Sequence, residues 1–249
     1  MKLLLTGVPK SGKTTLLKQL ITELSNSIWV VADQIIDNEG NRQGFFAVSS
    51  LGANEVIAHK MSIKSDVRIG DYRVDVAAIN KVYVGLINQV IDSHTNKWAI
   101  IDEIGRMQIK SSLFHNSVNR LFAEKANVLA TIRFSDKWTS EYIDRTDVIT
   151  FTLTLENKTD VELALRTCMR ASDHIDQLSI AQSTLAYSLA KEYLLHEKYT
   201  QFGKLFNNAI TYAVLGKVVV LAKWRYLVIG KYGNHDVTFK QGKWTCDCE

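Results

Sequence analysis

Gly7, Gly12, Lys13 and Thr14 occupy every fixed position of G-x-x-x-x-G-K-[ST], within the run Thr6-Gly7-Val8-Pro9-Lys10-Ser11-Gly12-Lys13-Thr14-Thr15. Each residue type has a physical task in holding phosphate. Glycines at both ends of the loop let the backbone take conformations closed to residues with a Cβ, so that successive amide N–H groups can turn toward one anion. Gly7, Val8, Pro9, Lys10, Ser11, Gly12, Lys13, Thr14 and Thr15 are therefore the candidate nucleotide-contacting residues. Lys13 supplies a cation for the terminal phosphates, and the Thr14 hydroxyl is placed to ligate Mg²⁺. Local context supports the pattern: Leu3-Leu4-Leu5 reads as a buried strand, and Leu16, Leu17, Leu20 and Ile21 mark one face of a helix over Thr14 to Leu24. A helix starting there would aim its N-terminal dipole at the same phosphate.

A second cluster lies at Trp98-Ala99-Ile100-Ile101-Asp102-Glu103, an apolar run that ends in two carboxylates. In a triphosphate site such a strand presents an Asp toward the Mg²⁺ shell, which assigns Asp102 to the metal and Glu103 to the general base. Phosphoryl transfer also calls for positive charge on the departing oxygens. Arg106 follows closely enough to provide it and is assigned a catalytic role; Arg133, after the next strand, is the alternative. Thr131 stands at the end of that strand, where it could orient the attacking water or be an ordinary strand threonine.

These groups need a scaffold, and the chain supplies strands and helices in turn. Ile28 to Ala32, Trp98 to Glu103, Asn127 to Ile132 and Val148 to Leu153 read as strands. Helices are expected over Val74 to Ile91, with Ala78, Val82, Leu86 and Val90 in a stripe, and over Leu113 to Glu124. The alternation implies an α/β fold whose mostly parallel sheet is covered by helices on both faces. The polar turn Asp37 to Arg42 and the apolar stretch Gly44 to Val48 add a small antiparallel hairpin, while Arg68 and Arg73 fall in a stretch without assignment. After Asn157 the texture changes. Three regions are expected: a nucleotide domain over 1–158, a helical segment over 159–215 that includes Val161 to Met169 and Ser179 to Leu195, and a small β module over 216–249.

Several of these stretches together resemble the small THEP-type nucleoside triphosphatases. They are Thr6 through Thr15, Gly40-Asn41-Arg42-Gln43-Gly44-Phe45, Ile101-Asp102-Glu103-Ile104-Gly105-Arg106-Met107, Ala130-Thr131-Ile132 and Leu153 through Lys158. The Asp-Glu-Ile-Gly-basic-Met run is the specific part, and the resemblance covers about residues 1 to 160. It implies a P-loop core of the RecA and nucleotide-kinase kind, and hydrolysis of ATP, GTP and other triphosphates to diphosphates with modest base selectivity. Lys10 and Ser11 stand where that family often has smaller residues, and Lys158 where it often has Arg, a difference that bears on the base-side contact.

The tail, Trp244-Thr245-Cys246-Asp247-Cys248, is similar to the first half of a SWIM zinc module, which implies nucleic-acid or protein contacts. Structural zinc takes four ligands, so Cys246 and Cys248 make a half-site, and zinc is expected only if the module is completed. His235 or Cys168 could complete it only through an accident of folding.

Composition sets outer bounds. The 249 residues carry a formal net charge of +4, which permits polyanion partners without demanding them. Three cysteines without a secretory signal point to a reducing cytoplasm, and no apolar segment is long enough for a membrane span. The leading expectation is an Mg²⁺-dependent nucleoside triphosphatase. Two alternatives share the same loop: a kinase of a small acceptor, and a binding module whose contacts are timed by hydrolysis.

Overall fold

The computed structural model describes residues 1–24, 27–93, 97–133, 136, 138–145, 147–175, 218–222, 225–229, 234–240 and 243–246. The chain divides into two compact units, Met1–Lys158 and Thr159–Glu249. The first contains strands β1 (Lys2–Thr6), β2 (Ser27–Ile36), β3 (Arg42–Ser49), β4 (Asn54–His59), β5 (Arg68–Ile69), β6 (Tyr72–Val74), β7 (Trp98–Ile104), β8 (Asn127–Ile132) and β9 (Val148–Thr152). They form one nine-stranded sheet in the order β5-β6-β4-β3-β2-β7-β8-β1-β9.

The sheet has two halves with different chemistry. Strands β2, β7, β8, β1 and β9 run parallel. Leu3, Leu4 and Leu5 of β1 and every residue of β8 are buried, as both-face coverage by helices requires. The remaining strands pair antiparallel, β2 with β3, β3 with β4, β4 with β6 and β6 with β5. The expected hairpin of β2 and β3 is therefore the root of a four-strand extension, which adds an antiparallel half to the expected parallel one. Arg68 and Arg73, left without assignment above, sit in the short strands β5 and β6 and face each other across their pairing.

Helix α1 (Lys13–Glu23) buries Leu16, Leu17 and Leu20, the stripe read from the sequence. The helical stripe expected from Val74 begins later. Val74 ends β6, and Asp75 caps the helix by accepting from the Ala78 amide at 2.9 Å. This helix is not uniform: α2 (Val76–Ile79) opens into a π-helical turn at Asn80–Val84 before α3 (Gly85–Asp92). Tyr83 lies in the π turn, fully buried against Phe114 of α4 (Ser112–Ala123). The short α5 (Ser140–Ile143) buries Tyr142, whose ring meets Phe122. Among the described residues no helix is long and apolar enough to cross a membrane.

In the second unit, α6 (Lys158–Ile175) covers and extends the expected Val161 to Met169 helix, and Val161, Ala164, Leu165 and Cys168 are buried. The helix expected over Ser179 to Leu195 lies outside the described residues. Strands β10 (Val218–Ala222), β11 (Arg225–Ile229), β12 (Asn234–Lys240) and β13 (Lys243–Cys246) form an antiparallel sheet in sequence order. Cys246 ends β13, whereas Cys248 lies outside the described residues.

Candidate active site

The C-terminal ends of the parallel strands converge on one cavity of about 1000 Å³. Gly7, Val8, Pro9, Lys13, Thr14 and Thr15 line it from the loop that joins β1 to α1, and Asp102 and Glu103 line it from β7. Parallel pairing places these groups together: β7 is hydrogen-bonded to β8, and β8 to β1.

Backbone conformation explains the loop's glycines. Gly7 has φ +145°, and a Cβ there would lie 2.3 Å from the Leu153 carbonyl oxygen, so no other residue fits. Gly12 has φ +94° and stands at the N-cap of α1, which has no side-chain cap. The first amides of α1 are thus left for an anion. Lys10 also has positive φ, +69°, at one of the positions where this chain departs from the smaller residues noted above. A non-glycine residue there is under local backbone strain. Ser11 is buried within the loop, and its hydroxyl oxygen has no hydrogen-bond partner among the described residues.

The charged groups are held close together. The Lys13 ammonium donates to the carbonyls of Gly7 at 2.8 Å and Val8 at 3.0 Å. Burial lowers its pKa, and the charges of Glu103 and Asp102 oppose that shift. Asp102 is buried and accepts hydrogen bonds from the hydroxyls of Thr131 and Thr14. Burial raises its pKa, against the effect of those hydroxyls and of Lys13. Glu103 is raised by burial and by the neighbouring charge of Asp102, with Lys13 and Arg133 acting the other way. Two adjacent carboxylates facing one lysine are a set of groups whose protonation states are coupled.

The Thr131 hydroxyl, a candidate for orienting water or an ordinary strand threonine, is buried and donates to Asp102 Oδ1. It positions that carboxylate. Arg106 and Arg133 both line the cavity, and both pair with Asp136, through a forked contact for Arg106 and at 3.4 Å for Arg133. The pairing holds the Asp136 carboxyl below its usual range.

Further residues were missed by sequence reasoning. The Tyr83 hydroxyl donates to the Asp102 carbonyl at 2.9 Å, and Gln108 Nε2 donates to Tyr83 at 3.2 Å. A buried network from the π turn thereby fixes the end of β7. Gly105 provides the space for Glu103, and Lys18 pairs with Asp33 at the cavity wall. Periodicity marks Tyr83 only as apolar core, and nothing local to the sequence reveals its hydroxyl's partner.

Among the described residues no group of three or more His, Cys, Asp or Glu could hold a metal ion. Thr14 and Asp102 nevertheless offer a hydroxyl and a carboxylate in mutual contact beside the loop. These are the hard oxygen donors Mg²⁺ prefers, and Mg²⁺ in nucleotide sites takes most of its remaining ligands from phosphate and water.

Comparison with known proteins agrees with this geometry. Residues 2–165 match the protein family described as NTPase. The chain is 31% identical over 159 residues to nucleoside-triphosphatase THEP1 of Thermotoga maritima, covering 64% of this chain and 89% of that protein. It is 28% identical over 183 residues to the human cancer-related nucleoside-triphosphatase, covering 68% of this chain and 96% of that protein. The crystal structure of THEP1 from Aquifex aeolicus superposes with a TM-score of 0.62 at 25% identity, covering 68% of this chain and 99% of that one. On the family match and on the identity to THEP1 over most of that protein's length, this chain belongs to the THEP1-type NTPase family and is a nucleoside-triphosphate hydrolase.

Proposed function

We propose that the chain hydrolyses nucleoside triphosphates, ATP and GTP among them, to nucleoside diphosphates and phosphate in a Mg²⁺-dependent reaction at this cavity, within a reducing cytoplasm. The observation that carries the reading is the arrangement of buried Asp102, adjacent Glu103 and Lys13 around the loop. The amides of Gly7 to Thr15 bind the phosphates, and Lys13 exchanges its loop carbonyls for β- and γ-phosphate oxygens. Thr14 and Asp102 would hold Mg²⁺, which when bound supplies positive charge against the phosphate oxygens.

Glu103 is the general base. It takes a proton from water as the water oxygen bonds to the γ-phosphorus and the bond to the β–γ bridging oxygen breaks, with the nucleoside diphosphate as leaving group and inorganic phosphate as the other product. Burial and Asp102 raise its affinity for that proton, while Lys13 and Arg133 keep the anion accessible. Arg106 is the candidate for neutralising charge on the leaving group, held in reserve by Asp136.

Lys13→Ala tests the assignment. The variant is expected to lose phosphate release by about 100-fold or more, the scale of removing a group that stabilises transition-state charge. Undiminished turnover in the folded variant would place the reaction elsewhere.

A further inference from the structure

The cavity extends well beyond the phosphate loop and the paired carboxylates. Its 1000 Å³ is at the upper end of the roughly 300–1,000 Å³ found for small-molecule sites. Its lining continues past the carboxylates to Ala32 of β2, Arg42 and Phe45 of β3, Ile57 of β4 and Ile69 of β5. Strand order fixes the layout. The loop follows β1, the carboxylates end β7, and Phe45 lies on β3, so β7 is two strands from each. At the usual strand spacing the carboxylates stand about 10 Å from either end, midway along the cavity.

A triphosphate cannot fill both halves. Its γ-phosphate has to meet Asp102 and Glu103 for hydrolysis, while the α-phosphate and nucleoside trail from the other end of the phosphate chain. With the phosphates held by the β1–α1 loop, the nucleoside is directed away from the carboxylates and away from β2 and β3.

The far half has a definite chemistry of its own. Phe45, Ile57 and Ile69 give it apolar walls. The Arg42 guanidinium lies 4.9 Å from the Phe45 ring centroid and 5.5 Å from that of Tyr72, and its Nε donates to the Tyr72 hydroxyl at 2.9 Å. Phe45 and Tyr72 meet edge to face at 5.4 Å. The guanidinium is thus fixed in orientation by two rings and one hydrogen bond, and no ion pair with Arg42 is found among the described residues. Its two terminal nitrogens form a fork suited to a phosphate or carboxylate. Asp33 of β2, another carboxylate of the lining, is paired with Lys18 at 2.6 Å.

We infer that this half of the cavity is a second ligand subsite, for a nucleoside monophosphate or a molecule of the same chemistry, with its planar ring against Phe45 and its anionic group on Arg42. The inference rests on reading the loop end as the triphosphate site. Both ligands would then face Asp102 and Glu103 from opposite sides.

The test uses the full chain saturated with a non-hydrolysable ATP analogue and Mg²⁺, titrated calorimetrically with AMP, GMP, CMP and UMP. At least one monophosphate is expected to bind the saturated protein with a stoichiometry near one. Arg42→Gln, at an exposed position that leaves the loop intact, is expected to weaken that binding by about tenfold or more while leaving analogue affinity unchanged, as loss of a charge-assisted fork predicts. Competition between monophosphate and analogue, no monophosphate binding to the saturated protein, or equal binding by Arg42→Gln would overturn the subsite. Equal loss of analogue affinity in Arg42→Gln would instead place the triphosphate's own base there, and also overturn it. An analogue that fails to bind, or binds Lys13→Ala unchanged, would overturn the loop reading and the subsite with it.

Discussion

The Glu103 side chain folds back over the Cα of Gly105, so closely that a Cβ on Gly105 would lie 2.4 Å from Glu103 Oε1 and 2.7 Å from its Cγ. Gly105 is thus part of the seat of the Glu103 side chain. Gly105→Ala is expected to push the carboxylate aside without touching the phosphate loop. A displacement on the ångström scale costs about 100-fold in rate. Hydrolysis measured by phosphate release should fall by that order while affinity for a non-hydrolysable triphosphate stays within a few-fold. Full activity in Gly105→Ala would show that Glu103 need not occupy this position for turnover.

Glu103 and Asp102 are expected to fail differently. Glu103→Gln keeps the shape but cannot accept a proton, so hydrolysis should drop by about 10²- to 10⁴-fold with Mg²⁺–nucleotide binding retained. Asp102→Asn keeps contact with Thr14 and Thr131 but loses the charge, so half-maximal activity should require more Mg²⁺. Identical binding titrations and identical Mg²⁺ curves for the two variants would refute this division of roles.

The sequence made the parallel half legible because its signals are local. The loop has fixed positions, and β1, β7 and β8 are short unbroken apolar runs. The antiparallel extension was legible only at its root. Strands β5 and β6 are two and three residues long, too short for alternation to show, and are defined by pairing with each other and with β4. The site divides in the same way. Lys13, Thr14, Asp102 and Glu103 carry their chemistry in their own side chains and spacing. Arg106 lines the cavity, but its partner Asp136 lies in a separate segment of the sequence, beyond β8. Tyr83 and Arg42 were beyond local reading because each acts through a contact with a distant segment, Tyr83 on the Asp102 carbonyl and Arg42 on the Tyr72 hydroxyl.

The pH dependences of activity and stability are expected to oppose each other. Glu103 and Asp102 have folded pKa values above their ordinary values, with burial the main cause. Between the ordinary carboxylate range, about 4, and the raised values, the native state holds protons that the unfolded chain has released. Stability of the ligand-free protein should therefore fall as pH rises through that window, whereas activity should rise as Glu103 becomes able to accept a proton. Denaturant midpoints and phosphate release across the same buffers check both. The stability slope should shrink in Glu103→Gln, and an unchanged slope in that variant and in Asp102→Asn would mean these carboxylates are not the groups titrating.

The last expectation concerns how much of the chain the reaction requires. Every residue lining the cavity lies at or before Thr152, and the family match ends at residue 165. Helix α6 runs from Lys158 to Ile175, so a cut near residue 160 would sever it and remove the buried side chains of Val161, Ala164, Leu165 and Cys168. A stop after Ile175 preserves the helix. The shortened chain should keep phosphate release within a few-fold of the full chain, with the same loss on Lys13→Ala. If it folds, as judged by a cooperative denaturant transition, yet does not hydrolyse, then residues after 175 contribute to the reaction and the site is larger than the cavity described. If hydrolysis by the full chain responds to nucleic acid and hydrolysis by the shortened chain does not, residues after 175 govern when hydrolysis occurs, and the timed-binding alternative gains the evidence that a bare triphosphatase lacks.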